Sequence, residues 1–454
     1  MLQSVNPTTG ELIREYPETT AAETAAALAA SERAYRAWRR TGFDHRARLM
    51  RRAAALLRDH APRHAALMAS EMGKPVAQGR AEAEKCAWVC DHYADHAERY
   101  LAPEAIPADA ARSYVAFQPL GPVLAIMPWN FPYWQVFRFA APALMAGNAA
   151  VLKHASNVSG CALAIGEVFR EAGFPEDLFS VLLLASARVE QVIAAPEIRA
   201  VTLTGSGPAG RAVAAAAGRA LKKTVLELGG SDPYVVLEDA DLDAAAATCA
   251  AARIINSGQS CIAAKRFVVV RPVREAFERR FVEAMLAKRM GDPMGESVDL
   301  GPQARRDLRD ELHAQTMESV RRGARLLLGG QIPAGPGAFY PPTVLGDVRP
   351  GMPAYDEELV GPVASVVEAA DEADAIRIAN DTPFGLGAAV FSRDTVRAER
   401  LAAGEIEAGS CFVNASVRSD PRLPFGGIKE SGYGRELSHF GIREFVNIKT
   451  VVVT

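Results

Sequence analysis

The chain has 454 residues, 49% of them hydrophobic and 23% charged, which is enough to bury two or three domain cores. A net charge of −3, with arginines spread along the chain, gives no electrostatic footprint for nucleic acid or an anionic membrane, so neither is expected as a partner. Six cysteines without framework spacing fit a reducing cytoplasm rather than a disulfide scaffold.

Residues 2–16 predict a short hairpin turning at Thr8-Thr9-Gly10. The first ten residues lack the basic start and apolar core of a signal peptide. Breaks at Gly42, Ala61-Pro62 and Gly73-Lys74-Pro75 cut residues 20–100 into about four amphipathic helices. Cys86 and Cys90 fall on one helix face with no histidine set nearby; they read as small buried residues, and no metal is assigned.

From residue 113 the rhythm changes. Apolar runs at 123–127, 149–152, 179–184, 200–204 and 224–228 alternate with helical segments, which predicts a doubly wound parallel sheet with a ligand crevice at its carboxyl ends. A second alternating region follows, with runs at 235–237, 267–270, 326–328, 364–367 and 388–391. The class is therefore α/β, with the active site in a cleft between two domains. No apolar run approaches the roughly 20 residues a spanning helix needs. The β-prone run 445–453 would be a hazard if left unpaired, so it is expected to pair with another subunit or a protruding strand.

Two short glycine-loosened runs carry the chemistry. Glu227-Leu228-Gly229-Gly230 ends a β-prone strand, where α/β enzymes bind ligands, and Asn256-Ser257-Gly258-Gln259-Ser260-Cys261 presents a cysteine among small neighbours. Cys261 is the candidate nucleophile and Glu227 the candidate base. Gly205-Ser206-Gly207-Pro208-Ala209-Gly210 fits a dinucleotide fingerprint letter for letter, and Glu227 lies near the spacing of its ribose acid. That reading is rejected, because the match follows the fourth strand-like run and Glu227 stands beside two glycines that open onto a cleft. The physics of the loop remains: Ser206 is expected to cap, Pro208 suits the first helical turn, and free amides there attract phosphate.

Seven motifs in order, Pro128-Trp129-Asn130-Phe131-Pro132, Lys153, Thr204-Gly205-Ser206, Glu227-Leu228-Gly229-Gly230, Gly258-Gln259-Ser260-Cys261, Glu357-Glu358-Leu359-Val360-Gly361-Pro362 and Pro424-Phe425-Gly426-Gly427-Ile428-Lys429, resemble the aldehyde dehydrogenase superfamily over nearly the whole chain. The resemblance implies a dinucleotide-binding domain (1–100 and 120–228), a catalytic domain (229–439) and a small β oligomerisation element (101–119 and 440–454) in a homodimer or homotetramer. It implies that Cys261, activated by a base, loop amides or the nicotinamide, attacks an aldehyde. Asn130 and the Cys261 amide hold the oxyanion, and Glu227 activates water against the resulting thioester. It further implies that Trp129, Lys153, Ser156, Gly205, Ser206, Leu228 and Glu358 lie along the cofactor, with Lys153 at the adenosine ribose and Glu358 at the nicotinamide ribose.

Where many relatives read Lys-Pro-Ser-Glu, this chain reads Lys153-His154-Ala155-Ser156. Without the glutamate, no fixed negative charge repels a 2′-phosphate, Ser156 can donate to it and Lys153 can neutralise it; NADP is expected over NAD. Val360 replaces the aromatic usual in the Glu-Glu motif. Arg138, eight residues past Asn130, and Ser419, five before Pro424, resemble the succinate-semialdehyde dehydrogenase branch, so both are expected at the distal carboxylate of a short semialdehyde. Glutarate semialdehyde and uncharged aldehydes stay open as substrates. The retained Glu227 argues against a CoA-acylating relative, and the intact Cys261, Asn130 and Glu227 argue against a silent binding protein.

Overall fold

The computed structural model describes residues 1–454. The opening hairpin pairs Leu2–Val5 with Leu12–Tyr16, and four helices follow at Ala21–Trp38, Phe43–Asp59, Ala61–Met72 and Val76–Tyr100, as the breaks predicted. Thr20 starts the first with a reciprocal capping box to Glu23, and Gly73 ends the third at a φ of 77°, which an L side chain adopts only at a cost.

The first large sheet runs in the order Gly432–Tyr433, Lys223–Glu227, Ala200–Thr204, Pro122–Met127, Ala149–His154, Phe179–Val181. All five strands after Gly432–Tyr433 are parallel, and the chain winds outward from Pro122–Met127 in one direction and then in the other. The winding reverses between Pro122–Met127 and Ala200–Thr204, so their carboxyl ends flank the crevice such sheets offer a ligand. The Phe179–Val181 strand stops three residues short of the expected run. Gly432–Tyr433, placed by sequence in the second domain, lies antiparallel on the first sheet with Gly432 opposite Glu227.

The second sheet has seven strands, parallel except for Arg325–Leu328 at one edge. Two of them, Thr343–Gly346 and Ser410–Val413, are short and were not foreseen. Val446–Val453 pairs antiparallel with Arg112–Pro119 along its full length and, with Glu104–Ala105, makes a separate three-stranded sheet. The protruding strand thus takes up the C-terminal run within the chain. No helix is long and apolar enough to cross a membrane.

Three buried histidines couple this core to pH. Burial holds His64, His92 and His154 at about 4; the His154 ring is used on both sides, at the Pro132 carbonyl (2.8 Å) and the Ala155 amide (2.9 Å). Because the unfolded chain takes up protons near pH 6.5 and the folded one only near 4, stability falls as pH drops through that window, by up to about 1.4 kcal/mol per pH unit for each histidine. Denaturant midpoints at pH 7 and pH 5 check this, with a lower midpoint expected at pH 5.

Candidate active site

The strand Pro122–Met127 runs directly into Pro128-Trp129-Asn130, and the neighbouring strand into Gly205-Ser206, so both segments meet at the crevice. A cavity of about 300 Å³ opens there, lined by Trp129, Asn130, Gly205, Ser206, Leu228, Gly229, Cys261, Glu358 and Val360. Of the sequence-predicted residues, this cavity brings together the cysteine, the asparagine and five of the cofactor candidates.

The cysteine loop is held in an unusual backbone. Asn256 and Ser257 have φ of 54° and 57°, and Gly258 has 77°. Such positions cost of order 1–3 kcal/mol for non-glycine residues and persist only when their surroundings fix them. Here they are fixed many times over. The Gln78 side chain accepts from the Asn256 amide (2.8 Å), Ser257 Oγ accepts from the Gly301 amide (2.9 Å), and Arg253 donates to the Gly258 carbonyl (2.6 Å). A Cβ at Gly258 would lie 2.2 Å from the Gly361 carbonyl carbon, so no other residue fits.

Asn130 is tied to this loop. Its Nδ2 donates to the Gln259 carbonyl (3.0 Å), its Oδ1 accepts from the Phe131 amide (3.1 Å), and its own carbonyl accepts from Asn256 Nδ2 (2.7 Å). It does not cap the helix Trp134–Ala146; Glu82 does, accepting from the amides of Tyr133 and Trp134 (both 2.9 Å) while paired with the buried Lys74. One N–H of the Asn130 amide is committed to Gln259, and the other stays available.

Burial pushes the Cys261 thiol up to about 12, against the pull of the Arg138 and Lys265 cations. The resting group is a neutral thiol at neutral pH and must be activated. Lys265, four residues on, donates to the carbonyls of Ser260 (3.0 Å) and Cys261 (2.9 Å) and pairs with Glu358 (3.2 Å). This bracing of the cysteine loop against a cofactor candidate had no signal in the sequence beyond a lysine beside an apolar strand.

Glu227 ends its strand beneath the cavity, 2% exposed, with neither carboxylate oxygen hydrogen-bonded. Burial and then the Glu436 carboxylate hold it well above the usual carboxylate range, opposed by Arg138 and Arg435. Gly426, at a φ of 151°, gives it room: a Cβ there would stand 2.6 Å from Oε1.

Arg138 stands among partners that the sequence did not announce. Its side chain is 2% exposed, ion-paired with Glu436, donating to Thr204 Oγ1 (3.2 Å) and lying 4.7 Å from the Phe425 ring centre. It faces the acids below the cysteine and is the first of the cations that pull against the burial of Cys261. The two-turn spacing from Asn130 fails because the helix begins only at Trp134, so the intervening residues do not follow helical periodicity. Ser419 is 6% exposed and accepts from Lys85 Nζ (2.8 Å), a residue sequence reasoning missed. Ser206 is also corrected in part: it stands at the N-cap of Gly207–Arg219, with Pro208 in the first turn, but its hydroxyl makes no capping bond. Lys153 is buried at the end of its strand, and Ser156 is exposed just beyond; both lie outside the cavity.

A dinucleotide fits these residues. The helix at Ser206 offers unpaired amides and a free hydroxyl to a phosphate, and Gly229 admits close approach, since a Cβ there would meet the Glu358 carboxylate at 2.1 Å. A hydrolase would need only the thiol and the acid. The phosphate-ready edge facing a thiol defines an oxidoreductase that works through a cysteine.

The family model described as Aldehyde dehydrogenase family matches residues 1–451, and the chain belongs to that family. It is 50% identical over 450 residues to a probable succinate-semialdehyde dehydrogenase [NADP(+)] of Synechocystis, with 99% of both chains covered. It is 48% identical over 448 residues to the succinate semialdehyde dehydrogenase [NAD(P)+] Sad of Escherichia coli, covering 99% of this chain and 97% of that one. Among solved structures it resembles the succinic semialdehyde dehydrogenase of Streptococcus pyogenes in complex with NADP+, with a TM-score of 0.97, 35% identity and full coverage of both chains.

Proposed function

We propose that this enzyme oxidises succinate semialdehyde to succinate, with NADP preferred over NAD, using Cys261 as nucleophile, Asn130 as oxyanion donor and Glu227 as base. The observation that carries this reading is the meeting of Cys261 and Asn130 at one wall of a cavity whose other wall is the phosphate-ready edge at Gly205 and Ser206. The relatives' names give the substrate and cofactor their support.

Cys261 gives its thiol proton to solvent water, its Sγ bonds to the aldehyde carbon, and the carbonyl oxygen becomes an alkoxide held by the remaining N–H of Asn130, a donor worth about 2.7 to 4 kcal/mol of barrier. When bound, the nicotinamide supplies the acceptor for the hydride that leaves this carbon. The thioester left on Cys261 is opened by water, whose proton passes to Glu227 as the Cys261 thiolate departs. Trp129, Leu228 and Glu358 would border the nicotinamide half of the cofactor, with Gly205 and Ser206 at its phosphates. Lys153 and Ser156 would take the adenosine end. The exposed Ser156 hydroxyl where a carboxylate would repel a 2′-phosphate supports NADP.

The domains assigned from sequence, 1–100 with 120–228, 229–439, and 101–119 with 440–454, are kept as the functional division. The outer edge of Val446–Val453 is open, and Ile448 and Val452 are 63% and 54% exposed, which supports a homodimer or homotetramer formed through this sheet. A cytoplasmic location accords with the free cysteines.

A panel of aldehydes with saturating NADP and NAD tests the reading. The highest kcat/KM is expected for succinate semialdehyde with NADP, above glutarate semialdehyde and uncharged aldehydes. Equal use of uncharged aldehydes contradicts the substrate, and a clear preference for NAD contradicts the cofactor.

A further inference from the structure

Lys265 is a buried cation to which the reaction as described gives no task. It stands at the start of the strand Arg266–Val270, where its amide donates to the Asp232 carbonyl (3.2 Å) and its carbonyl accepts from the Ser365 amide (3.0 Å). The strands on either side thus set its backbone. From there the side chain turns back to the cysteine loop, 1% exposed, and divides its ammonium among the carbonyls of Ser260 (3.0 Å) and Cys261 (2.9 Å) and the Glu358 carboxylate (3.2 Å).

The Ser260 carbonyl is the telling partner. It belongs to the same planar peptide unit as the Cys261 N–H, and across a trans bond the two point in opposite directions. Whatever fixes that carbonyl on one side therefore aims the N–H on the other. The Ser260 oxygen accepts twice, from the Ala263 amide (3.1 Å) and from Lys265. The Ala263 bond is neutral, whereas the Lys265 bond carries charge and polarises the whole unit, which makes its N–H a stronger donor. That N–H donates to no other group of the protein, so it is free beside the thiol.

We propose that Lys265 is a positioning residue for the oxyanion: by holding the Ser260 carbonyl it aims and strengthens the Cys261 N–H as a second donor to the alkoxide, alongside Asn130. This rests on the reading of Cys261 and Asn130 as the groups that form and hold that alkoxide. Through Glu358 the same ammonium ties the oxyanion peptide to the edge where the cofactor would lie.

The Lys265 charge also favours the Cys261 thiolate, after the Arg138 cation, so a donor effect has to be separated from a thiol effect. Two rates do this. Alkylation by iodoacetamide without cofactor, read on the peptide carrying Cys261, reports the thiol and forms no alkoxide. The burst of reduced nicotinamide at saturating succinate semialdehyde and NADP reports the thiol and the alkoxide together.

Lys265→Met keeps an unbranched apolar side chain and removes the ammonium. Its burst is expected to lose about ten- to a hundred-fold more than its alkylation, part of the hundred- to thousand-fold that a whole oxyanion donor is worth. The aldehyde concentration giving half the maximal burst rate, and the Kd for NADP, should stay within about three-fold, since the interaction strengthens only as the alkoxide forms. Lys265→Gln, which keeps a donor without the charge, should show a smaller excess loss, and it carries the test if Lys265→Met fails to fold. The proposal is overturned if burst and alkylation fall by the same factor, which would leave Lys265 acting on the thiol alone. It is also overturned if the burst at saturation is intact and only the Kd for NADP rises, which would place its action at Glu358. An Asn130→Ala enzyme with a burst as fast as the parent's would overturn the oxyanion reading itself, whatever the Lys265 variants do.

Discussion

Glu227→Gln enzyme is expected to release a full burst of reduced cofactor, close to one per active site, and then to turn over roughly a hundred to ten thousand times more slowly than the parent. The burst survives because Glu227 lies below the cavity wall, and formation of the thioester asks nothing of its carboxylate. Turnover suffers because water attacking the thioester has lost its proton acceptor. Glu227 is held well above the ordinary carboxylate range by burial and by Glu436, so it is protonated at low pH and becomes a base only as pH rises. The parent kcat should therefore climb with pH across the range in which deacylation limits turnover, and the Gln variant should lose that dependence. A stopped-flow trace of reduced-nicotinamide absorbance reads both phases. Loss of the burst together with turnover would place Glu227 at the activation of Cys261 instead.

The second large effect is on stability. Arg138→Leu is expected to cost about 3–5 kcal/mol, because it strips the cation from a buried ion pair and leaves Glu436 with no compensating charge. Glu227 shares the loss, since Arg138 is the first of the cations opposing its neutral form. Combining Arg138→Leu with Glu436→Leu should recover much of the stability, as replacing both partners of a buried pair by apolar groups commonly does. Denaturant midpoints of the two single variants and the double variant check this. An Arg138→Leu protein as stable as its parent, with only its KM for succinate semialdehyde raised, would return Arg138 to the carboxylate role that the sequence suggested.

The case of Arg138 shows where sequence reading ends. Alternating apolar runs and glycine breaks disclose both sheets, the four early helices and the C-terminal strand, because hydrophobic period and chain reversal are local properties. Cys261, Asn130 and the loop at Gly205 were legible for the same reason: each is a short motif whose neighbours shape its own backbone. The direction of a side chain across a helix start is not local in this sense. Arg138 turns toward Glu436, nearly three hundred residues away in sequence, and the sequence marks Glu436 only as an acid beside Arg435 in a glycine-rich segment. Lys265 and Lys85 were missed likewise, since their partners, Glu358 and Ser419, come together only when the two sheets and the long helix are packed. The pairing of Gly432–Tyr433 with the first sheet was not legible, because two residues carry no periodicity at all.

The division of labour between Cys261 and Glu227 is tested most directly by intact-protein and peptide mass spectrometry of Glu227→Gln enzyme quenched after mixing with succinate semialdehyde and NADP. A mass gain of one succinyl group, confined to the peptide carrying Cys261 and formed at the rate of the burst, is the predicted result. A burst without that adduct, or an adduct on any other residue, would contradict it.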